Sequence, residues 1–313
     1  MNPQQNETDL KKEVGEFYNK IGWQMQDDGF YQNARYEDLR PVSHEYIHRC
    51  HLRVKRYIRP DGDFLLDAGS GPVQYPEYLT YSENYRYRVC LDISIKALEE
   101  ARYRLKEKGL YVVADVAYLP FKSDTFDGLV SLHTLHHIPP EQHLQAYEGF
   151  VRILKPGCSG AVVNAWTSPQ LMKRWFWMVR IMDWVNGLLH KLSGQKYIQP
   201  APDSAKIANA GQPTGTYTQH ITAHGQRTHP LYLGQPTGTY TQHITPIWLK
   251  NQLDGKVNYE IFVWRSASVR FLRSVIQPWL AGRFWLRILY HNEEKSPKFF
   301  GENGQYPLIV IRK

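Results

Sequence analysis

Phe64-Leu65-Leu66-Asp67-Ala68-Gly69-Ser70-Gly71 is the stretch that decides the fold. A short apolar strand runs into a turn whose glycines let backbone amides approach a ligand closely at the carboxyl edge of a sheet. A dinucleotide fingerprint needs a third glycine at position 74, where this chain has Gln74, so a pyrophosphate on the following helix start is disfavoured. The turn alone is a weak signal, and it gains meaning from the next two strand ends. About twenty residues on, Val89-Cys90-Leu91-Asp92 ends a second strand on a carboxylate able to take both hydroxyls of a ribose. The same carboxylate could cap the helix beginning at Ser94. Val112-Val113-Ala114-Asp115 places a further carboxylate at the end of the third strand, in position to meet an adenine amino group. Turn and aspartates together describe an adenosine without phosphates.

Outward from this core, short apolar runs alternate with helical stretches, which predicts βαβ units and a parallel sheet. Strands are expected near 64–67, 86–92, 111–114, 128–132, 160–164, 257–264 and 308–312. Ser94 caps a helix with Ala97, Leu98, Ala101 and Leu105 on one face, and Leu144, Tyr147, Val151 and Leu154 repeat the pattern before Pro156-Gly157. A helix is expected from Ser43 to Ile58, and Thr245-Pro246 opens another. Residues 211–222 and 234–245 both read GQPTGTYTQHIT. Two identical copies are no solenoid; they read as a duplication in a surface insertion, with the second copy tied to the scaffold.

In order along the chain come Leu66-Asp67-Ala68-Gly69-Ser70-Gly71, Leu91-Asp92-Ile93-Ser94, Ala114-Asp115 with Leu119-Pro120-Phe121, Phe126-Asp127 through His136-His137, and Leu154-Lys155-Pro156-Gly157. Through these pieces, over roughly residues 60–165, the sequence resembles the class I S-adenosylmethionine-dependent methyltransferases, most closely the branch with the ubiquinone- and menaquinone-biosynthesis methyltransferases. The resemblance implies an α/β, Rossmann-like, doubly wound seven-stranded sheet of order 3-2-1-4-5-7-6, its last strand antiparallel, with helical lid insertions. It implies S-adenosylmethionine as cofactor, with Asp67, Gly69 and Gly71 against the methionine half and Asp92 and Ile93 at the ribose and adenine. Asp115 and Val116 would read the adenine edge, and Leu132 and His133 would border the sulfonium. Many family members carry a third glycine where this chain has Val73.

A sulfonium methyl is already activated, so the protein's tasks are in-line alignment and exclusion of water. A hydroxyl acceptor also needs a base, for which His136 and His137 are the candidates; both are equally readable as a helix start or packing element. No metal is expected, because no Cys or carboxylate joins His133, His136, His137 and His143 at ligand spacing. Tyr18 and Trp23 read either as the core of a leader helix or as a lid over the cofactor, facing the sulfonium by cation–π contact.

The 313 residues suffice for a large α/β domain with an accessory lobe. The expected division is a leader and lid at 1–60, a cofactor-binding core at 61–165, a helical insertion at 166–245 and the remainder of the sheet with amphipathic helices at 246–313. Three cysteines without framework spacing and a polar start point to the cytoplasm. The net charge of +8 suits an anionic partner. Segments 171–192 and 269–290 mix tryptophans with cations; they are expected to pack together as a lid, or, as the alternative, to touch a membrane surface peripherally. The expected function is methyl transfer to a small-molecule or lipid-linked acceptor, against the alternative of a non-catalytic cofactor-binding scaffold. A nucleic-acid acceptor is disfavoured, since no RNA-binding module accompanies the arginines.

Overall fold

The computed structural model describes residues 11–12, 14–19, 23, 37–192, 220–221, 227–228 and 240–313. Seven strands form one sheet: β1 (Gly62–Ala68), β2 (Tyr85–Asp92), β3 (Gly109–Val113), β4 (Gly128–Leu132), β5 (Ser159–Val163), β6 (Asn258–Arg265) and β7 (Tyr306–Arg312). Their order is β3-β2-β1-β4-β5-β7-β6, as the resemblance implied. Strands β1 to β5 pair in parallel, while β7 runs antiparallel to both β5 and β6. Since β7 reverses direction, β6 runs the same way as β1, and its carboxyl end reaches the edge where the glycine turn lies.

Both faces of the sheet are covered, so its central strands are apolar throughout instead of alternating. Leu66, Ala68, Leu91, Leu129 and Val162 point into one buried cluster, and Leu65, Cys90, Val130, Ala161 and Val163 into the other. Helix α1 (His44–Leu52) continues as a 3-10 turn over Arg53–Arg56, shorter as an α-helix than the sequence suggests. The tightening accompanies burial of Arg53, which pairs with Glu293 and Glu294 and donates to the Trp264 carbonyl. Helix α2 (Ile95–Leu105) is capped as predicted, the Ser94 hydroxyl accepting from the Ala97 amide at 3.1 Å. Helix α3 (His143–Ile153) buries Ala146, Tyr147 and Phe150 against the sheet.

The accessory lobe comprises α4 (Gln170–Leu192), α5 (Pro246–Leu253), α6 (Val269–Val275), α7 (Gly282–Lys295) and α8 (Pro297–Asn303). Helix α5 is capped by the Thr245 hydroxyl, which accepts from the Trp248 amide. Helices α4 and α6 pack together as expected, through a buried Asp183–Arg270 ion pair at 2.7 Å and the Asn186 amide donating to the Ser274 carbonyl at 3.1 Å. Met172, Val179, Phe271, Leu272 and Leu286 form a core shared by α4, α6 and α7 with α1. Among the described residues no helix is long and apolar enough to cross a membrane.

Of the duplicated segment, the first copy at 211–222 lies outside the described residues except for His220–Ile221, which pairs with Arg227–Thr228 in a short antiparallel ladder. The second copy is described from Tyr240 onward, where Ile244 bridges Trp166 and the Gln242 amide donates to the His136 carbonyl.

Candidate functional site: the carboxyl edge of the sheet

After β1 the chain turns through Gly69 at φ 74° and Gly71 at φ 53°, the left-handed region in which glycine carries no steric cost. The amides of Gly69 and Ser70 both donate to the Leu91 carbonyl, locking the turn onto β2. Space is as restrictive as conformation: a Cβ on Gly69 would lie 2.2 Å from Thr134 Cγ2, and one on Gly71 would lie 3.0 Å from the Trp23 ring. Val73 also sits at φ 53°, with its side chain fully buried. The turn therefore follows a glycine path with a β-branched residue, held by Arg104, which donates to the Val73 and Gln74 carbonyls.

Asp92 fastens the turn to the second strand: Oδ2 accepts from the Gly71 amide and Oδ1 from the Ser94 amide, both at 2.9 Å. Desolvation pushes its carboxyl up to about 6 against these amide donors, with the nearby Asp67 charge adding to the rise. Asp115 accepts from the Ala117 amide with Oδ1 at 2.9 Å, and its Oδ2 is ion-paired with Lys11. Val116 is buried in the core cluster. Ile93 packs with the cluster of Val14, Tyr18, Trp23 and Ala97. Asp67 differs in surroundings: it is buried and bonded to the guanidinium of Arg88, which also donates to the Tyr78 carbonyl. It braces β1 against β2.

Leu132 ends β4 partly buried against the core, and His133 follows at φ 58°, its amide donating to the Val163 carbonyl. This left-handed residue redirects the chain so that the Thr134 hydroxyl reaches the Ala68 and Gly69 carbonyls. The His133 ring lies 4.9 Å from Trp264 and 5.5 Å from Tyr306, and burial with the nearby Arg265 charge lowers its pKa to about 3. His136 is buried 4.2 Å from the His137 ring and 5.1 Å from the His243 ring. Burial and these imidazoles hold its pKa well below the ordinary value. Its Nδ1 has no hydrogen-bond partner among the described residues. His137 is fully engaged, Nε2 with the Tyr18 hydroxyl at 2.9 Å and Nδ1 with the Tyr240 carbonyl at 2.8 Å. A carbonyl only accepts, so Nδ1 carries the proton and Nε2 accepts from Tyr18.

Tyr18 and Trp23 stack at 5.2 Å, with Trp23 against Gly71 and Tyr18 against His137. Asn19 accepts from the Ser94 hydroxyl at 2.8 Å. The structure thus brings the leader, the turn, the strand-end aspartates and the histidines to one edge. Among the described residues, no group of histidine, cysteine and carboxylate side chains is arranged to hold a metal.

Several residues at this edge carry no motif. Asn164 follows β5 beside His136, and Trp264 and Arg265 end β6, with Arg265 paired to Glu37 and stacked 4.5 Å over Tyr306. Strand position was the available signal for these, because β5 and β6 end at the same edge as β1. His243 and Thr134 gave none, since only the folded chain sets them there.

Residues 66–162 match the family described as a methyltransferase domain. With the sheet order, this match gives the chain the fold of the Rossmann-like methyltransferases. The chain is similar to an uncharacterized protein of Methanocaldococcus jannaschii, with 29% identity covering 46% of this chain and 57% of that one. It is also similar to a tRNA (carboxymethyluridine(34)-5-O)-methyltransferase of Arabidopsis thaliana, with 31% identity covering 43% of this chain and 37% of that one. The chain thus spans little more than half of the first relative's length and less of the second. In fold it is similar to phosphoethanolamine N-methyltransferase 1 of Haemonchus contortus, solved with phosphoethanolamine and S-adenosylhomocysteine, at TM-score 0.52 and 9% identity over 100% of this chain and 50% of that one.

Proposed function

We propose that this protein transfers a methyl group to a small-molecule or lipid-linked acceptor held between the glycine turn and the aromatic end of β6. One observation carries the reading: the turn, Asp92 and Asp115 line one sheet edge, while His133, His136, Asn164 and Trp264 gather beside them at the adjoining strand ends. Bound S-adenosylmethionine supplies a sulfonium methyl that needs no further activation. Asp92 would hold the ribose, Asp115 and the Val116 backbone the adenine, and the Gly69–Gly71 turn the methionine half. Asp67 would contribute by fixing β1 to β2.

Tyr18 and Trp23 would close over this edge and exclude water, which strengthens every electrostatic contact beneath them. His136 is the better placed base, because its Nδ1 is unengaged whereas His137 Nε2 already accepts from Tyr18. A histidine so depressed is a weak base. It serves an acceptor whose proton becomes strongly acidic as the methyl arrives, as a hydroxyl does on conversion to a protonated ether. The quinone-biosynthesis branch and a cytoplasmic location belong to this same reading.

A tRNA acceptor is the second reading, favoured by the tRNA methyltransferase among the relatives and by the net charge of +8. The test is a cell extract incubated with methyl-labelled S-adenosylmethionine and fractionated into RNA, lipid and small metabolites. Label in the lipid or metabolite fraction supports the proposal, and label confined to RNA replaces it with the second reading. Tight binding of S-adenosylhomocysteine with no transfer to any fraction would leave a scaffold.

A further inference from the structure

Helix α4 has two apolar faces, and only one is buried. Met172, Val179, Asp183 and Asn186 face the core and α6. On the other side Trp177, Ile181, Trp184, Leu188 and Leu192 are 60%, 51%, 70%, 44% and 77% exposed. At helical spacing these five fall within an arc of about 80°, directly opposite the buried face. Lys173, Arg180 and Lys191 flank the stripe along one side and Arg174 stands beside it on the other. All four cations are exposed and make no ion pair among the described residues. The helix's single acid, Asp183, is buried against Arg270. In and just before α7, Trp279, Phe284 and Trp285 are also more than half exposed.

We propose that the outer face of α4 docks on an anionic lipid surface. A stripe of tryptophan and branched aliphatic side chains rimmed by lysine and arginine matches the acyl boundary and the charged headgroups at once. A second copy of the chain fits poorly, because the same cations would face each other across a two-fold contact. RNA fits poorly as well, since Ile181, Leu188 and Leu192 offer no ring on which a base can stack. The contact would hold the protein at a membrane without crossing it, and it does not depend on which acceptor is methylated.

The test is sedimentation of the full chain with phosphatidylcholine vesicles prepared with and without phosphatidylglycerol. Binding should appear with phosphatidylglycerol, weaken with salt, and shift tryptophan emission to the blue. The charge-reversal variant K173E/R180E/K191E and the variant W177S/W184S/L188S should each bind at least about tenfold more weakly. Both should retain S-adenosylhomocysteine affinity, which reports the folded core independently. No sedimentation of the unsubstituted chain, or equal sedimentation of the variants, would overturn the proposal. So would a dimer in solution that W177S/W184S/L188S dissociates, or tRNA binding that the charge reversal abolishes while vesicle binding persists.

Discussion

Asp92 joins two structural bonds in one carboxylate, accepting from the Ser94 amide and from the Gly71 amide, and it is the residue proposed to hold the ribose. Desolvation pushes its carboxyl up to about 6, and the proposed ribose hydroxyls would donate to the ionised form, so S-adenosylhomocysteine affinity should fall as pH drops below that value. The slope should approach about tenfold per pH unit. Asp92→Asn should flatten this profile and weaken binding at pH 7.5 by about 1.5–3 kcal/mol, read by calorimetry. An unchanged profile would place the ribose elsewhere. Val73 offers a contrasting case. Its left-handed backbone costs about 1–2 kcal/mol, while burying its side chain returns about 1.5–3 kcal/mol. Val73→Gly relieves the first as it loses the second, whereas Val73→Ala mainly loses. Denaturant unfolding should therefore find the alanine variant no more stable than the glycine variant, the reverse of the order in ordinary backbone. The two aspartates and the glycines were legible because each ends a strand whose apolar run is unmistakable. The role of Thr134 against Gly69 was not, since 65 residues of chain separate them.

At the scale of elements, the leader makes the largest difference to the site. Lys11 pairs with Asp115, Asn19 bonds Ser94, Tyr18 bonds His137 and Trp23 covers Gly71, so one short stretch touches four separate strand ends. If it acts as a lid, Lys11→Ala combined with Tyr18→Phe removes two of its latches. Each is worth about 0.5–1.5 kcal/mol, and S-adenosylhomocysteine release in stopped-flow fluorescence should accelerate by about tenfold or more. Release at the original rate would return these aromatics to the role of leader core. The accessory helices show how composition leaves choices open. The apolar residues of 171–192 and 269–290 announced helices that pack on each other, and the helix over 170–192 does pack on the one over 269–275. Which residues stay outside depends on where Arg270 and Ser274 approach.

For the whole molecule, buried neutral histidines govern the response to acid. His137, His143 and His243 are each held down to about 4, and His133 to about 3, mainly by burial. Unfolding restores each to about 6.5, so the unfolded chain binds more protons below that pH. Stability from these groups is complete above about pH 6.5 and is lost as pH falls toward their folded values. At pH 5 each has forfeited roughly 2 kcal/mol, a sum comparable with the entire stability of an ordinary domain. Asp92 acts in the opposite direction, its raised pKa adding roughly 1 kcal/mol between pH 7 and 5, too little to compensate. The urea midpoint should therefore fall steeply between pH 7 and 5, with uptake of about four protons on unfolding measured by calorimetry in buffers of different ionisation enthalpy. A flat midpoint would mean that these rings are hydrated.

The sequence by itself determined the strands, the helix caps, the sheet order through its resemblance, and the positions of the glycine turn, Asp92 and Asp115. These are local matters: apolar runs, turn chemistry and the strand end at which each residue falls. Only the tertiary structure decided that Asp67 is held by Arg88, that His137 is saturated by Tyr18 and Tyr240 while His136 Nδ1 is not, and that α4 keeps an apolar stripe outside. Each of these depends on contacts between distant segments. Neither periodicity nor spacing records such contacts, because the free energy of a buried polar group is set by its neighbours in space.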